Sequence, residues 1–197
     1  MERFKIGTTA DFVMLGVSEL ARAYYPSMEA GRPSCWSLDT IFPATDAPDA
    51  QAKRCIDCMH SVKGARGQAC RFSQRLAVVQ PSDWDRVMQL QVSSISIFGN
   101  PKHGDTPLQG YIKYLQGHNT APHTVVTRAY QDSRSELPKF FFKPVRPLNE
   151  EELEQVYALL DSGSVEKALS FTLSNPTDLT FAEEAGFTYS KADATTN

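Results

Sequence analysis

A chain of 197 residues is long enough for one domain with appendages, and its composition is that of an ordinary globular protein. It lacks an apolar run of bilayer-spanning length and has no signal-peptide core after Met1-Glu2-Arg3-Phe4-Lys5, so the expectation is an intracellular protein without membrane helices. The net charge of −3 hides a division: residues 1–148 carry 18 Lys+Arg against 13 Asp+Glu, and residues 149–197 carry 10 acids against 2 lysines. A basic body with an acidic end suits a protein that meets a polyanion; the plainer reading is a solvated acidic face on a C-terminal helix.

Residues 4–25 place Phe12, Val13, Leu15, Val17, Leu20 and Tyr24 after Thr8-Thr9-Ala10-Asp11, which fits a strand, a short helix or both in succession. Residues 26–50 contain Pro26, Pro33, Pro43 and Pro48 and read as loop, with Cys35-Trp36 inside it. Residues 69–80 read as a strand with Arg71 and Arg75 interleaved among apolar positions, ended by Pro81-Ser82-Asp83. An extended segment over 84–96 and a turn-rich loop over 98–105 follow. The spacing of Leu108, Tyr111, Ile112 and Leu115 predicts a helix ending at Gly117. Strands are expected over 123–130, from its β-branched density, and over 138–145, between two prolines. Asn149 is the expected N-cap of a helix with Glu150, Glu151 and Glu152 in its first turn and Leu153, Val156, Leu159 and Leu160 as its apolar stripe. Gly163 stops it, and a further helical turn is expected over 165–171, before a polar end.

This inventory predicts an α+β, mainly β protein: an OB-like five-stranded barrel with an inserted four-cysteine zinc loop and a C-terminal helix. The expected division is an OB-like nucleic-acid-binding domain over 1–148, with its zinc loop at 35–70, and an acidic helical segment and tail over 149–197.

All four cysteines lie within that loop. Cys55 and Cys58 form a C-x2-C pair, with Cys35 well before it and Cys70 after it. The intervening stretch is basic, glycine-bearing and poor in large apolar side chains, so it cannot build its own core; four thiolates around one Zn2+ would hold it. In a reducing compartment zinc is preferred to disulfides. Free thiols come next, and a redox pair last, because the residues before Cys55 do not form a strand leading into a helix. A shell of Cys35, Cys55, Cys58 and Cys70 is closed, hence structural. Cys35 is its most distant member, and His60 is the alternative ligand.

Lys53, Arg54, Lys63, Arg66, Arg71 and Arg75 surround the cysteines, opposed by Asp57 alone, and form a candidate phosphate-contacting surface. A second candidate surface mixes aromatic and basic residues: Tyr111, Lys113, Tyr114, Arg128, Tyr130, Phe141, Lys143 and Arg146. In the 140–143 strand, alternation puts Phe140 and Phe142 on one face and Phe141 and Lys143 on the other. For any single aromatic, core is the better reading than stacking. His103, His118 and His123 are scattered, and none of the common catalytic motifs is present, so no catalytic residue and no enzyme activity are expected.

The run Cys55-Ile56-Asp57-Cys58, the basic glycine-bearing loop, Ala69-Cys70-Arg71 and Arg75-Leu76-Ala77-Val78 resemble a group of bacteriophage proteins with a cysteine cluster. Gly110-Tyr111-Ile112-Lys113-Tyr114-Leu115, Val125-Val126-Thr127-Arg128 and Phe142-Lys143-Pro144-Val145-Arg146-Pro147-Leu148 extend the resemblance over roughly 35–160. More loosely, the chain is similar to phage single-stranded-DNA-binding proteins, with OB folds, sometimes zinc, and an acidic tail. The resemblance implies a non-catalytic single-stranded-DNA-binding protein of phage DNA replication or recombination, located in the host cytoplasm. Here the acids lie in the expected helix and Lys191 begins a polar end, so a displaceable acidic tail does not follow. A different class of function is a zinc-stabilised interaction module that docks on a replication, recombination or host protein through residues 149–197. Homo-oligomers are compatible with either.

Overall fold

The computed structural model describes residues 8–26, 33–64, 67–101, 104–133, 135 and 139–170. The side chains of 63, 64, 67 and 68 lie outside the description, as do Arg66, His103 and the acidic tail beyond residue 170. The fold is α+β and mainly β, built on an open antiparallel sheet of seven strands.

Strand β1 (Thr9–Val17) and strand β2 (Ala21–Tyr24) follow one another along the same edge of the long strand β6 (Cys70–Gln80). The open choice over residues 4–25 is therefore resolved as two strands. Ser18, between them, donates its N–H to the Arg75 carbonyl and accepts the Arg75 N–H on its hydroxyl, so the ribbon bends without leaving β6. β2 also pairs with a short strand, β3 (Cys35–Ser37), inside the stretch expected to be loop. Two-residue strands β4 (Lys63–Gly64) and β5 (Gly67–Gln68) pair with each other apart from the main sheet. The other edge of β6 carries β7 (Asp83–Ser93). β1 pairs on its far side with β8 (Val125–Gln131), which pairs with β9 (Phe140–Pro147). Among the described residues no pairing joins β7 to β9, so the seven strands form an open sheet, and the expected OB-like five-stranded barrel is not shown.

The sheet is covered on both faces, which is why β1 and β6 contain continuous apolar runs rather than a strict alternation. Phe12, Met14, Leu76, Val78, Val92 and Phe142 face one way, onto Leu108, Tyr111 and Leu115 of helix α2 (Leu108–Gly117). Val13, Leu15, Ala77, Val79 and Val126 face the other way, onto Val156 of helix α3 (Glu150–Asp161) and Val165 and Ala168 of helix α4 (Ser164–Leu169). A short helical turn, α1 (Ser94–Ile97), ends β7 where the sequence pattern suggested continued strand; Ile97 is fully buried in the first cluster, and Ser96 Oγ accepts the Phe140 N–H at 2.9 Å. Burying each large aliphatic side chain in these clusters contributes about 1.5–3 kcal/mol.

The C-terminal helices are fixed by specific chemistry. Asn149 Oδ1 accepts the Glu152 N–H at 2.8 Å and Glu152 Oε2 accepts the Asn149 N–H at 3.0 Å, a reciprocal capping box that bears out the expected N-cap. At the end of α4, Gln89 Nε2 donates to the Ala168 carbonyl and Arg75 Nε to the Leu169 carbonyl at 3.1 Å. These carbonyls have no partner within the helix, and the sheet supplies one. Gly16 makes the approach feasible: a Cβ there would stand 3.0 Å from side-chain carbons of both Val165 and Leu169. Residues 150–169 thus form one wall of the second cluster. Among the described residues no helix is long and apolar enough to cross a membrane.

Candidate metal centre and nucleic-acid interface

The cysteines are brought together by three pieces of backbone. In the β3–β2–β6 ribbon, Tyr24 is in register with Cys35 on one side and Cys70 on the other. In-register residues point to the same face, so Cys35, Tyr24 and Cys70 share one. The C-x2-C pair arrives on two consecutive 3-10 turns, Cys55–Asp57 and Met59–Ser61. Their entry is pinned by the Cys55 N–H donating to the Ile41 carbonyl at 2.8 Å. Asp39 Oδ1 fixes the preceding bend by accepting from the Ile41 and Phe42 N–H groups and the Ser37 hydroxyl.

All four thiols line a single small cavity of about 10 Å³ with Arg22, Trp36 and Ser61. Cys55 and Cys70 are buried, Cys35 and Cys58 partly so, and none is in a disulfide. Burial pushes the Cys35 and Cys70 thiols above their ordinary value, and the nearby Cys55 and Cys58 add to the rise. The donor set is that of a structural zinc, and the space matches an atom rather than a substrate. Among the described residues, however, no group of three or more His, Cys, Asp or Glu side chains is already gathered at metal-holding distance. The ribbon gives a reason: with neighbouring strands about 4.8 Å apart, Cα atoms two strands away stand about 10 Å apart, and their thiols must lean inward to share an ion. His60, the alternative ligand, instead stacks on Tyr24 with ring centroids 3.8 Å apart and planes 14° from parallel.

Arg22, which no sequence pattern singles out, is the residue that fits a charged cluster. It is buried, its guanidinium lies 4.6 Å from the centroid of the Phe72 ring, and its charge opposes the rise that burial gives the Cys70 thiol. Its Nε has no hydrogen-bond partner among the described residues. A buried cation is costly without an anion beside it, and metal-bound thiolates would supply that charge. The signal in the sequence is slight: an arginine between Ala21 and Ala23, away from the basic stretch around the cysteines.

The expected phosphate-contacting residues divide. Lys53, Arg54 and Arg71 are exposed beside the cysteines. Arg75 is partly buried and holds α4. Arg66 and the Lys63 side chain lie outside the described residues.

The expected stacking surface divides further. Tyr111 is 1% exposed, in the first core cluster, with its hydroxyl 2.7 Å from Thr127 Oγ1, so it offers no face to a base. Phe141 is also buried, beneath Lys139 at 4.5 Å from its ring centroid and beside Tyr130 at 5.9 Å. The expected alternation holds, with Phe140 and Phe142 on the core face; the opposite face is closed over by a lysine and a tyrosine. Arg128 makes a two-pronged ion pair with Asp11, both contacts 2.6 Å, and Arg146 makes one with Glu152, both 2.7 Å. Both arginines are therefore spent on bracing elements. Lys113, Tyr114 and Lys143 are exposed; Lys143 Nζ lies 5.3 Å from the Tyr130 ring centroid, and Tyr114 leans on His118 with ring centroids 4.3 Å apart.

The chain matches no protein-family model, and neither the curated proteins nor the solved structures contain a match to it.

Proposed function

We propose that this protein binds single-stranded DNA without catalysis, as an OB-type domain whose cysteine loop is pinned by a structural zinc on Cys35, Cys55, Cys58 and Cys70. The observation that carries the reading is connectivity. In an OB-type domain the first strand pairs with the second and fourth, the third with the second, the fifth with the fourth, and a helix lies between third and fourth. Taken as those five strands, β1, β6, β7, β8 and β9 pair in that way, and α2 falls between β7 and β8. OB domains are partly open barrels that grip oligonucleotides with the face of strands two and three and with the loops after strands one and four; here α4 packs on one face of β6 and β7, so the proposed contact falls to the loops. The cysteine insert occupies the first of those loops, with exposed Lys53, Arg54 and Arg71. Lys139 and Lys143, over the Phe141 and Tyr130 rings, flank the second.

Zinc would be held by the four thiols with Arg22 as neighbouring countercharge, and its part is to fold the insert. Action in phage DNA replication or recombination is what the sequence resemblance adds to this reading. Fluorescence anisotropy of labelled oligo-dT across a salt series tests it. The expected result is binding whose log K falls linearly with log salt, by about 0.7 per phosphate contacted. No binding at low salt, or affinity indifferent to salt, overturns it.

A further inference from the structure

The C-x2-C pair hangs on a junction. Cys58 ends the first 3-10 turn and begins the second in an extended conformation, φ −80° and ψ 129°. Its direction is therefore dictated by neither turn alone. The hydrogen bonds that close the turns are local: the Cys58, Ser61 and Val62 N–H groups donate to the carbonyls of Cys55, Cys58 and Met59, the first of them over 3.3 Å. The first turn is tied to the rest of the insert by the Cys55–Ile41 bond. That stretch is tied to the β3 region in turn, by the Ala44 N–H donating to the Trp36 carbonyl and the Asp49 N–H to the Ser34 carbonyl. The second turn reaches the sheet by another kind of contact, the stack of His60 on Tyr24. Both side chains are half-buried. Tyr24 is the middle residue of the row Cys35–Tyr24–Cys70 and lines the thiol cavity, whereas His60 does not line it.

We propose that His60 is a positioning residue for the metal: its stack on Tyr24 sets the second 3-10 turn against β2 and so aims Cys58 at Cys35 and Cys70. This rests on the zinc of the proposed function and gives His60 a part in that centre outside the ligand set. Three observations carry it. Four thiols already line the cavity, so a tetrahedral ion needs no imidazole. Tyr24 belongs to the same row as two of those thiols, so a ring held against Tyr24 is held in place relative to Cys35 and Cys70 as well. Cys58 is two residues from His60 and leads directly into its turn, so the position of that turn decides where the Cys58 sulfur points. The stack also fixes the Tyr24 ring itself. With neighbouring strands about 4.8 Å apart, the flanking thiols must lean past a side chain at the middle of the row, and they can share an ion only if that side chain keeps one place. Groups that orient metal ligands without touching the metal change its affinity by about 10- to 100-fold when they are removed.

The test compares the full-length protein with His60→Ala and His60→Phe. Each is treated with chelator, reloaded with Co2+, whose d–d absorption reports the ligand set, and then competed with Zn2+. His60→Ala is expected to weaken Zn2+ binding about tenfold, with the Co2+ bands of the loaded protein where wild type has them. His60→Phe keeps a ring that can stack and has no nitrogen for a metal; it is expected to bring the affinity back close to wild type with the same bands. Hydrogen-exchange protection of β1 and β8, equal in all three proteins, checks that the sheet body is intact. A His60→Ala protein with wild-type affinity overturns the positioning role. So does a His60→Phe protein as weak as His60→Ala, and if its Co2+ bands also move, His60 is a ligand. Wild type that takes up no Co2+ overturns the zinc reading itself, and the role of the stack with it. No DNA enters the measurement, so failure of the DNA-binding reading is scored separately.

Discussion

The sheet body and the cysteine insert use apolar residues in opposite ways. In the body, Phe12 and Met14 turn into one core and Val13 and Leu15 into the other, so one strand stabilises two layers at once. In the insert, Ile56, Met59 and Val62 turn outward and the inward positions go to thiols. Burial holds the first region. The second has little to bury and depends on backbone turns, on Asp39 and, as proposed, on a metal. Stability and exposed chemistry are thereby placed in separate parts of one chain.

The largest expected effect separates the two regions directly. Chelating the proposed zinc, or replacing Cys58 with Ser, removes what folds the insert; structural zinc contributes on the order of 10 kcal/mol in small domains. Hydrogen exchange is expected to show protection lost over 33–62 while β1 and β8 keep theirs. Equal protection with and without chelator would mean that the turns hold the insert unaided. The reciprocal experiment is Leu76→Ala. Leu76 is fully buried in the first cluster, and its truncation is expected to cost about 2–5 kcal/mol of global stability in urea unfolding. Met59→Ala, a deletion of similar size at an exposed position of the insert, is expected to change stability by less than about 0.5 kcal/mol. A comparable cost at both sites would erase the distinction.

The same contrast governs what can be read from the sequence. Where burial dominates, periodicity reports it: the helix at 108–117, the strands at 70–80 and 125–131 and the capped helix at Asn149 all follow the expected patterns. Where pairing is non-local, local pattern is silent. β3 is three residues in a proline-rich stretch and becomes a strand only because Tyr24 is there to pair with Cys35. Tyr111 and Phe141 look like stacking residues because both sit among cations, yet the sheet turns one into the core and Lys139 covers the other. Arg128 and Arg146 read as positive surface, but Asp11 and Glu152, distant or across an element boundary, claim them. The cysteines are legible as a set; the burial of Arg22 and the exposure of Ile56, Met59 and Val62 are not, because both depend on which way a turn or strand faces.

A mid-sized effect probes where the body accepts its C-terminal helices. Gly16→Val would place a branched side chain 3.0 Å from carbons of Val165 and Leu169. It is expected to cost about 1–3 kcal/mol and to expose α4. Limited proteolysis near residue 165 would report the release, and resistance equal to wild type would show that α4 shifts without undocking.

The smallest effect concerns an ion pair that joins helix to sheet, between Arg146 of β9 and Glu152 of α3. Hydrogen bonding from Arg146 holds the Glu152 carboxyl below its ordinary value of 4.5, helped by the Asn149 N–H. A depressed carboxylate contributes stability that is complete above its unfolded value and is lost as pH falls through the folded one. Glu152→Gln keeps an acceptor for the capping box and removes the ion pair, so it is expected to cost less than about 1 kcal/mol at pH 7. As pH falls below 4.5 and then through the folded value, the gap between variant and wild type should close, since Glu152 is then neutral in both states of wild type. Asp11 is also lowered, by its hydrogen bond from Arg128, and titrates in the same region, so the comparison is best repeated in an Asp11→Asn background. Urea midpoints at pH 7 and pH 2 suffice. A gap that persists at pH 2 would assign the role of Glu152 to helix capping alone, and the docking of α3 would then rest, like the rest of the body, on what it buries.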